Sequence, residues 1–339
     1  MNLHESPGRT GSTIYDVAAL AGVSITTISR YLNAPEQVGA GTAERILEAM
    51  NSLAYIPHGN AGAKAARKVG RIGVLTPFVT APSFVLRLDG ITRHLRDLDF
   101  ETIIYAVETP GQLRDYLRSI PGTKRLDGLI VMAMAIDDAD TARLRRASLQ
   151  VVMLEHEHPA FTSIVADGLE GGALAARTFL AKGYLPCGFI GEATVLPYAF
   201  QPGAPRLEGY RRELERAGAG LAPEHVRLGE NTVADARRMA LELLELPAPP
   251  RSVFTMSDLQ AIGVLKAARE RRLRVPEDLA VMGFDDIEEA DHLDLSTISQ
   301  GLAESGRLAA QCLVDRLRHP DRPRQLIRVP VTPVQRRTT

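Results

Sequence analysis

Cysteine is nearly missing from this chain of 339 residues, which carries only Cys187 and Cys312. Two thiols cannot build a disulfide framework; they fit a reducing compartment, and each reads as a small buried hydrophobe. No apolar run approaches the length that spans a bilayer, and the start of the chain lacks a charged segment followed by a hydrophobic one. These absences exclude an ordinary secreted or membrane-anchored protein and predict a cytoplasmic one with no membrane partner. An excess of charge of one sign is missing too. With 40 Lys and Arg against 41 Asp and Glu, the formal net charge of -1 exerts no global pull on nucleic acid, so any basic footprint must be local. Nor does the sequence hold a nucleophile elbow, a Walker loop, a zinc motif or a Gly-rich dinucleotide fingerprint. Nothing supports catalysis, and no cofactor is expected.

What remains is ordinary globular material, 45% hydrophobic and 24% charged, in a length that suits two or three compact units. Residues 1–12 are polar and Gly-rich and read as a disordered arm. Residues 13–33, TIYDVAALAGVSITTISRYLN, have the layout of two short helices joined by a tight turn. Thr13 and Asp16 form a capping box, and Ile14, Val17, Ala18 and Ala21 repeat at helical spacing. Gly22 ends this helix. Ser24 caps a second one, with Ile28 and Leu32 predicted inward and Ile25, Thr26, Ser29 and Arg30 outward. This is the helix-turn-helix pattern, whose second helix enters the DNA major groove; pattern alone also allows a packing hairpin. A third helix, with Ala43, Ile46, Leu47, Met50 and Leu53 as its stripe, is predicted to close a small core against Val17, Leu20 and Ile28. Tyr55, Ile56 and Pro57 end it.

The residues of this stretch closely resemble the headpiece of the lactose-repressor family of bacterial transcription regulators. That family begins with T-x-x-D-V-A-x-x-A-G-V-S-x-x-T-V-S-R-x-x-N, and every fixed position is matched except that Ile28 stands for valine. The resemblance implies a DNA-binding module over 13–57, with Ile25, Thr26 and Arg30 facing base edges. Thr13, Tyr15, Ser24 and Thr27 are then positioned on phosphates, and Asn33 closes the motif. Two departures follow. Gly39 stands where the family has a capping serine, a loss of about 1 kcal/mol or less. In the linker, 58–70, the family's Asn, Ala, Arg and wedge leucine correspond to His58, Ala61, Gly62 and Lys64. Gly59 and Gly62 each weaken a helix by about 1 kcal/mol, and Lys64 cannot act as an apolar wedge. Lys64 can still meet phosphates with Arg67 and Lys68, or the segment is simply a flexible basic linker.

From residue 71 the pattern alternates apolar strands with amphipathic helices, which implies a parallel sheet covered on both faces. Together with the resemblance, the predicted fold class is α/β: an N-terminal all-α helix-turn-helix headpiece plus a two-lobed, doubly wound parallel-sheet core of the periplasmic-binding-protein-like type. The resemblance places lobe crossings near 163–167, 295–300 and 318–324. It gives a first lobe of 71–165 plus 297–320 and a second of 166–296 plus 321–339, with 325–333 reading as a terminal strand.

Ligands of open α/β sheets sit beyond the carboxyl ends of strands. Glu155, Ser257, Asp258, Asp285, Asp286 and Gln300 fall at such ends, and Arg206 opens a helix in the run RLEGY. Residues 273–286, LRVPEDLAVMGFDD, look like the family's V-P-x-D-x-x-V-x-G-F-D-D signature, which extends the resemblance over nearly the whole chain. Carried over by position, the family's effector arginine falls on Arg206, its cleft aspartate on Asp285, its Asn-Asp pair on Ser257 and Asp258, and its acidic cleft position on Glu155. Carboxylates, an arginine fork and an amide suit sugar hydroxyls, while Phe78 and Phe84 can stack on a sugar face. Asp258 has a rival reading as a helix cap, and Asp286 reads as structural. The run Glu155-His156-Glu157-His158 tempts a metal reading, but two histidines without a third spaced ligand read better as a solvated strand end.

The resulting expectation is a repressor that binds a pseudo-palindromic double-stranded operator as a homodimer, controlled by a small-molecule effector, a sugar, in the cleft. Whether dimers pair further stays open. The rival class is a cytoplasmic sugar-binding or interaction protein with weakened DNA readout, motivated by the glycines and Lys64 of the linker.

Overall fold

The computed structural model describes residues 13–53, 55, 70–123, 125–193 and 198–339. The chain divides into two compact units, with the boundary between Val69 and Gly70. The first contains helices α1 (Ile14–Ala21), α2 (Ile25–Asn33) and α3 (Ala40–Ser52). The Asp16 carboxylate accepts from the Thr13 amide at 2.7 Å and its hydroxyl at 2.6 Å, which fixes the start of α1. Gly22, in the left-handed region at φ 64°, ends it. Ser24 caps α2 by accepting from the Thr27 amide at 3.1 Å. Val17, Ala18, Ala21, Ile28, Ile46 and Ala49 form the buried core, with Tyr31, Met50 and Leu53 packed on it.

Three leucines predicted to face this core do not. Leu20, Leu32 and Leu47 are 56%, 36% and 49% exposed. Leu20 lies roughly 100° around α1 from the middle of the Val17, Ala18 and Ala21 stripe at 3.6 residues per turn. On α2 the larger Tyr31 ring packs on the core, and on α3 Ile46 and Ala49 do.

The second unit holds two six-stranded sheets. The first sheet consists of β1 (Gly70–Thr76), β2 (Phe100–Ala106), β3 (Gly128–Met132), β4 (Gln150–Leu154), β5 (Thr162–Ala166) and β11 (Leu326–Val329), ordered β11-β5-β4-β3-β1-β2. Alternate residues of its strands face two apolar clusters. Helices α4 (Pro82–Arg96) and α12 (Leu302–Arg318) cover one, and α5 (Pro110–Thr123) and α6 (Asp138–Arg146) the other. The second sheet has β6 (Cys187–Glu192), β7 (Val226–Gly229), β8 (Ser252–Thr255), β9 (Ala280–Asp285), β10 (Thr297–Ser299) and β12 (Thr332–Val334), ordered β12-β10-β9-β8-β6-β7. Helices α7 (Gly168–Lys182) and α8 (Gly203–Arg216) cover one face; α9 (Val233–Leu244), α10 (Asp258–Glu270) and α11 (Glu288–His292) cover the other. Among the described residues every strand pair is parallel except β10 with β12.

The chain passes between sheets three times: from β5 to α7, from β10 to α12, and from β11 to β12. The last passage corrects the predicted boundaries. Residues 325–333 are not one strand of the second lobe; Leu326–Val329 pairs with β5 in the first, and only Thr332–Val334 joins the second. Likewise Thr297–Ser299 pairs with β9 and belongs to the second lobe, not the first.

Candidate DNA-reading helix and ligand cleft

On α2, Ile25, Thr26 and Arg30 are exposed, and Ile28 beneath them is fully buried. The core thus fixes which face α2 offers to solvent. Tyr15 on α1 is 66% exposed, Ser24 is exposed, and Thr13 and Thr27 are half-buried. The Thr27 hydroxyl is 2.9 Å from that of Ser24. The Asn33 side chain and Lys64, with the rest of 56–69, lie outside the described residues.

Between the two sheets of the second unit lies a cavity of about 370 Å³. Its polar walls come mainly from carboxyl ends of parallel strands: Glu155 follows β4, Glu192 ends β6, Glu230 and Asn231 follow β7, Ser257 follows β8, Asp285 ends β9 and Gln300 follows β10. Phe78, Phe84 and Phe200 supply ring surface, with Phe78 and Phe84 edge to face at 5.2 Å between centroids. Glu155 and Asp285 hold positive φ values of 69° and 123°. Side-chain-bearing residues sit there at a cost of about 1–3 kcal/mol each, a strain found where geometry serves a site.

A polar chain runs across the cavity floor. Arg87, on α4 of the first lobe, pairs with Glu155 at 2.8 Å and donates to Gln300 at 3.0 Å. Gln300 donates in turn to Asp285 at 2.5 Å. Arg206 on α8 lies 3.8 Å from Asp285, donates to the Met256 carbonyl, and stacks on Phe284 with 3.6 Å to the ring centroid. All five of Arg87, Glu155, Arg206, Asp285 and Gln300 are buried. Burial lowers the Arg206 guanidinium from its ordinary value against the pull of Asp285 and Glu155. Burial pushes the Asp285 carboxyl upward, opposed by Arg206, Arg87 and the Gln300 hydrogen bond. The Glu192 carboxyl is also raised by burial, with Arg206 opposing.

Of the residues expected at the cleft, Phe78, Phe84, Glu155, Arg206, Ser257, Asp285 and Gln300 line this one cavity. Asp258 does not. Its carboxylate turns inward, where it accepts from the Ile287 amide at 3.0 Å and the Thr297 hydroxyl at 2.6 Å, tying α10 to β10 and the turn after β9. Asp286 pairs with Arg336 at 2.8 Å. His156 lies 5.5 Å from the Phe200 ring and His158 lies 3.2 Å from the Thr141 hydroxyl, so the two histidines have separate surroundings. No group of three or more His, Cys, Asp or Glu side chains is placed to hold a metal among the described residues.

Arg87, Glu192, Glu230 and Asn231 are cavity residues that the sequence predictions did not include. All but Asn231 carried a signal. Arg87 is a charge set in the stripe of Phe84, Leu88 and Ile91, and the two glutamates obey the strand-end rule that selected Glu155 and Asp285.

A helix-turn-helix unit in one chain with a two-lobed, cleft-bearing α/β core defines a class: DNA-binding regulators that carry their own ligand-binding module. Comparison with known proteins places the chain within that class. Residues 13–58 match the model for bacterial regulatory proteins of the lacI family, and residues 176–339 that for a periplasmic binding protein-like domain. The chain thus carries a lacI-family helix-turn-helix domain and a periplasmic binding protein-like domain. It is 28% identical over 332 residues to the HTH-type transcriptional repressor PurR of Haemophilus influenzae (strain PittEE), covering 95% of this chain and 96% of that one. The repressor CytR of Escherichia coli (strain K12) is 29% identical over 313 residues, covering 91% and 90%. Among solved structures, the Lac Repressor bound to ONPG in the repressed state superposes with a TM-score of 0.74 at 25% identity, covering 97% of this chain and 100% of that one. No helix among the described residues is long and apolar enough to cross a membrane.

Proposed function

We propose that this chain represses transcription as a homodimer on a pseudo-palindromic operator, and that a small polyhydroxylated molecule in the interlobe cavity controls it. The observation that carries this reading is the polar chain Glu155–Arg87–Gln300–Asp285, which joins both lobes across a cavity walled by strand ends. A ligand that replaces or tightens any link changes how the lobes meet, and a ligand with different affinity for two arrangements shifts the balance between them. Carboxylates, guanidinium groups and an amide are the donors and acceptors that sugar hydroxyls require, with phenylalanine faces for the ring. The relatives named as repressors, and a solved relative holding ONPG, support the same reading. In the headpiece, Ile25, Thr26 and Arg30 read base edges, while Thr13, Tyr15, Ser24 and Thr27 set the register on phosphates.

Footprinting of the chain on DNA upstream of its own gene tests the operator half. The expected result is a protected palindrome whose occupancy falls steeply with salt, because the neutral chain contacts phosphates through local charges only. Absence of protection at low salt overturns the repressor reading and leaves a ligand-binding protein.

A further inference from the structure

The charges in the cavity walls narrow the chemistry of the ligand. Among the described lining residues the cations are Arg87 and Arg206, and the acids are Glu155, Glu192, Glu230 and Asp285. Both guanidinium groups are engaged: Arg87 with Glu155, Gln300 and the Ser83 carbonyl, Arg206 with Asp285, the Met256 carbonyl and the Phe284 ring. Each guanidinium group is thus already paired with an acid, and each keeps one buried Nε–H in reserve. Glu192 and Glu230, in contrast, have no side-chain hydrogen bond or ion pair among the described residues. Glu192 ends β6 in register with Gly229, and Glu230 follows β7; both line the cavity, one half-buried and one at the exposed rim. Deeper in the wall, Arg87 Nε, Glu155 Oε1 and Arg206 Nε are buried without a hydrogen-bond partner. Those donors and that acceptor match hydroxyl groups, which can do both.

We propose that the effector is an amino sugar or closely related amino polyol, its hydroxyl-bearing ring over the Arg87–Glu155–Asp285 floor and its ammonium against Glu192 and Glu230. This rests on the cavity being the effector site. With a neutral sugar, the half-buried Glu192 carboxylate has only the Arg206 charge to offset its burial, and a sugar phosphate or uronate adds negative charge to a wall that already holds four acids against two cations. An ammonium supplies three donors and forms charge-assisted hydrogen bonds to carboxylates.

The test titrates the full chain, by calorimetry and thermal shift, with glucosamine, galactosamine and mannosamine. Each is paired with its parent hexose, its N-acetyl derivative and its uronate. The expected result is that at least one free amine binds ten-fold or more tightly than its three partners, and that Glu192→Gln removes this preference while leaving the melting temperature of the free protein in place. A hexose, N-acetyl sugar or uronate that binds as well as its amine, or an amine preference that survives Glu192→Gln together with Glu230→Gln, overturns the amine assignment and keeps the cavity as a ligand site. Failure of all four classes to bind overturns both.

Discussion

Asp258 sits in the wall behind the cavity with three elements hung on one carboxyl group. Burial, aided by the nearby Asp285 charge, raises its pKa from the ordinary 3.8 to about 8, against the hydrogen bonds from Thr297 and the backbone. A carboxyl whose folded pKa lies above its unfolded one favours the folded state while protonated. That contribution is fully present below pH 4 and is lost as the pH rises toward 8. Asp258→Asn keeps an acceptor for the Ile287 amide and removes the titration. Urea midpoints compared between pH 5 and pH 8 should therefore fall less in the variant than in the parent; equal falls would show that Asp258 is ionised throughout. Arg30 belongs to the same scale. Its exposed side chain on the second turn of α2 has Ile28 fixed beneath it. Arg30→Ala should reduce discrimination between operator and unrelated DNA by about 1–3 kcal/mol, with ligand affinity unchanged. Unaltered discrimination in a competition gel would remove Arg30 from the reading set.

At the scale of elements, Arg206 depends on how α7 and α8 meet. A Cβ on Gly172 would stand 1.9 Å from the Arg206 carbonyl oxygen, and one on Gly209 would stand 1.8 Å from that of Leu169. These helices touch backbone to backbone, and only glycine permits it. Gly172→Ala should destabilise the core by about 1–3 kcal/mol through overpacking. It should weaken ligand binding as well, because α8 carries the guanidinium that stacks on Phe284. Stability loss with unchanged affinity would mean that Phe284 and Met256, not the helix contact, fix Arg206. The start of α3 offers the opposite change. Gly39 makes no side-chain cap and has open space around it, so Gly39→Ser should raise headpiece stability by a few tenths of a kcal/mol, read from its thermal midpoint. Strands such as Gln150–Leu154 and Ser252–Thr255 were legible because a two-sided parallel strand is an unbroken apolar run. β11 and β12 were not, since apolar residues recur from Leu326 through Val334, and Pro330 marks a break without showing that the chain changes sheet there. The strand-end rule found Glu155 and Asp285 but could not separate Asp285 from Asp258. Asp285 ends β9 and Asp258 opens α10 just past β8; only the packed structure shows which carboxylate faces the cavity.

At the scale of the molecule, the chain is two compact units, one built for a DNA groove and one enclosing a cavity. Their stabilities rest on separate apolar clusters, six buried residues in the headpiece against four larger clusters in the core. Two calorimetric transitions are therefore expected. A ligand at 100 times its Kd stabilises the native state by about 2.7 kcal/mol, and at about 2–4 °C per kcal/mol for a unit of this size the core transition moves up by several degrees. Operator DNA should raise the headpiece transition directly. The informative quantity is the cross effect, because a ligand that changes operator affinity must have its own affinity changed by the same factor. Titrating ligand with and without saturating operator measures that factor, and coupling of about 1–3 kcal/mol corresponds to roughly 5- to 150-fold. Weaker ligand binding on operator makes the molecule an inducer, tighter binding makes it a co-repressor, and identical affinities would mean that the cavity and α2 share a chain without regulating one another.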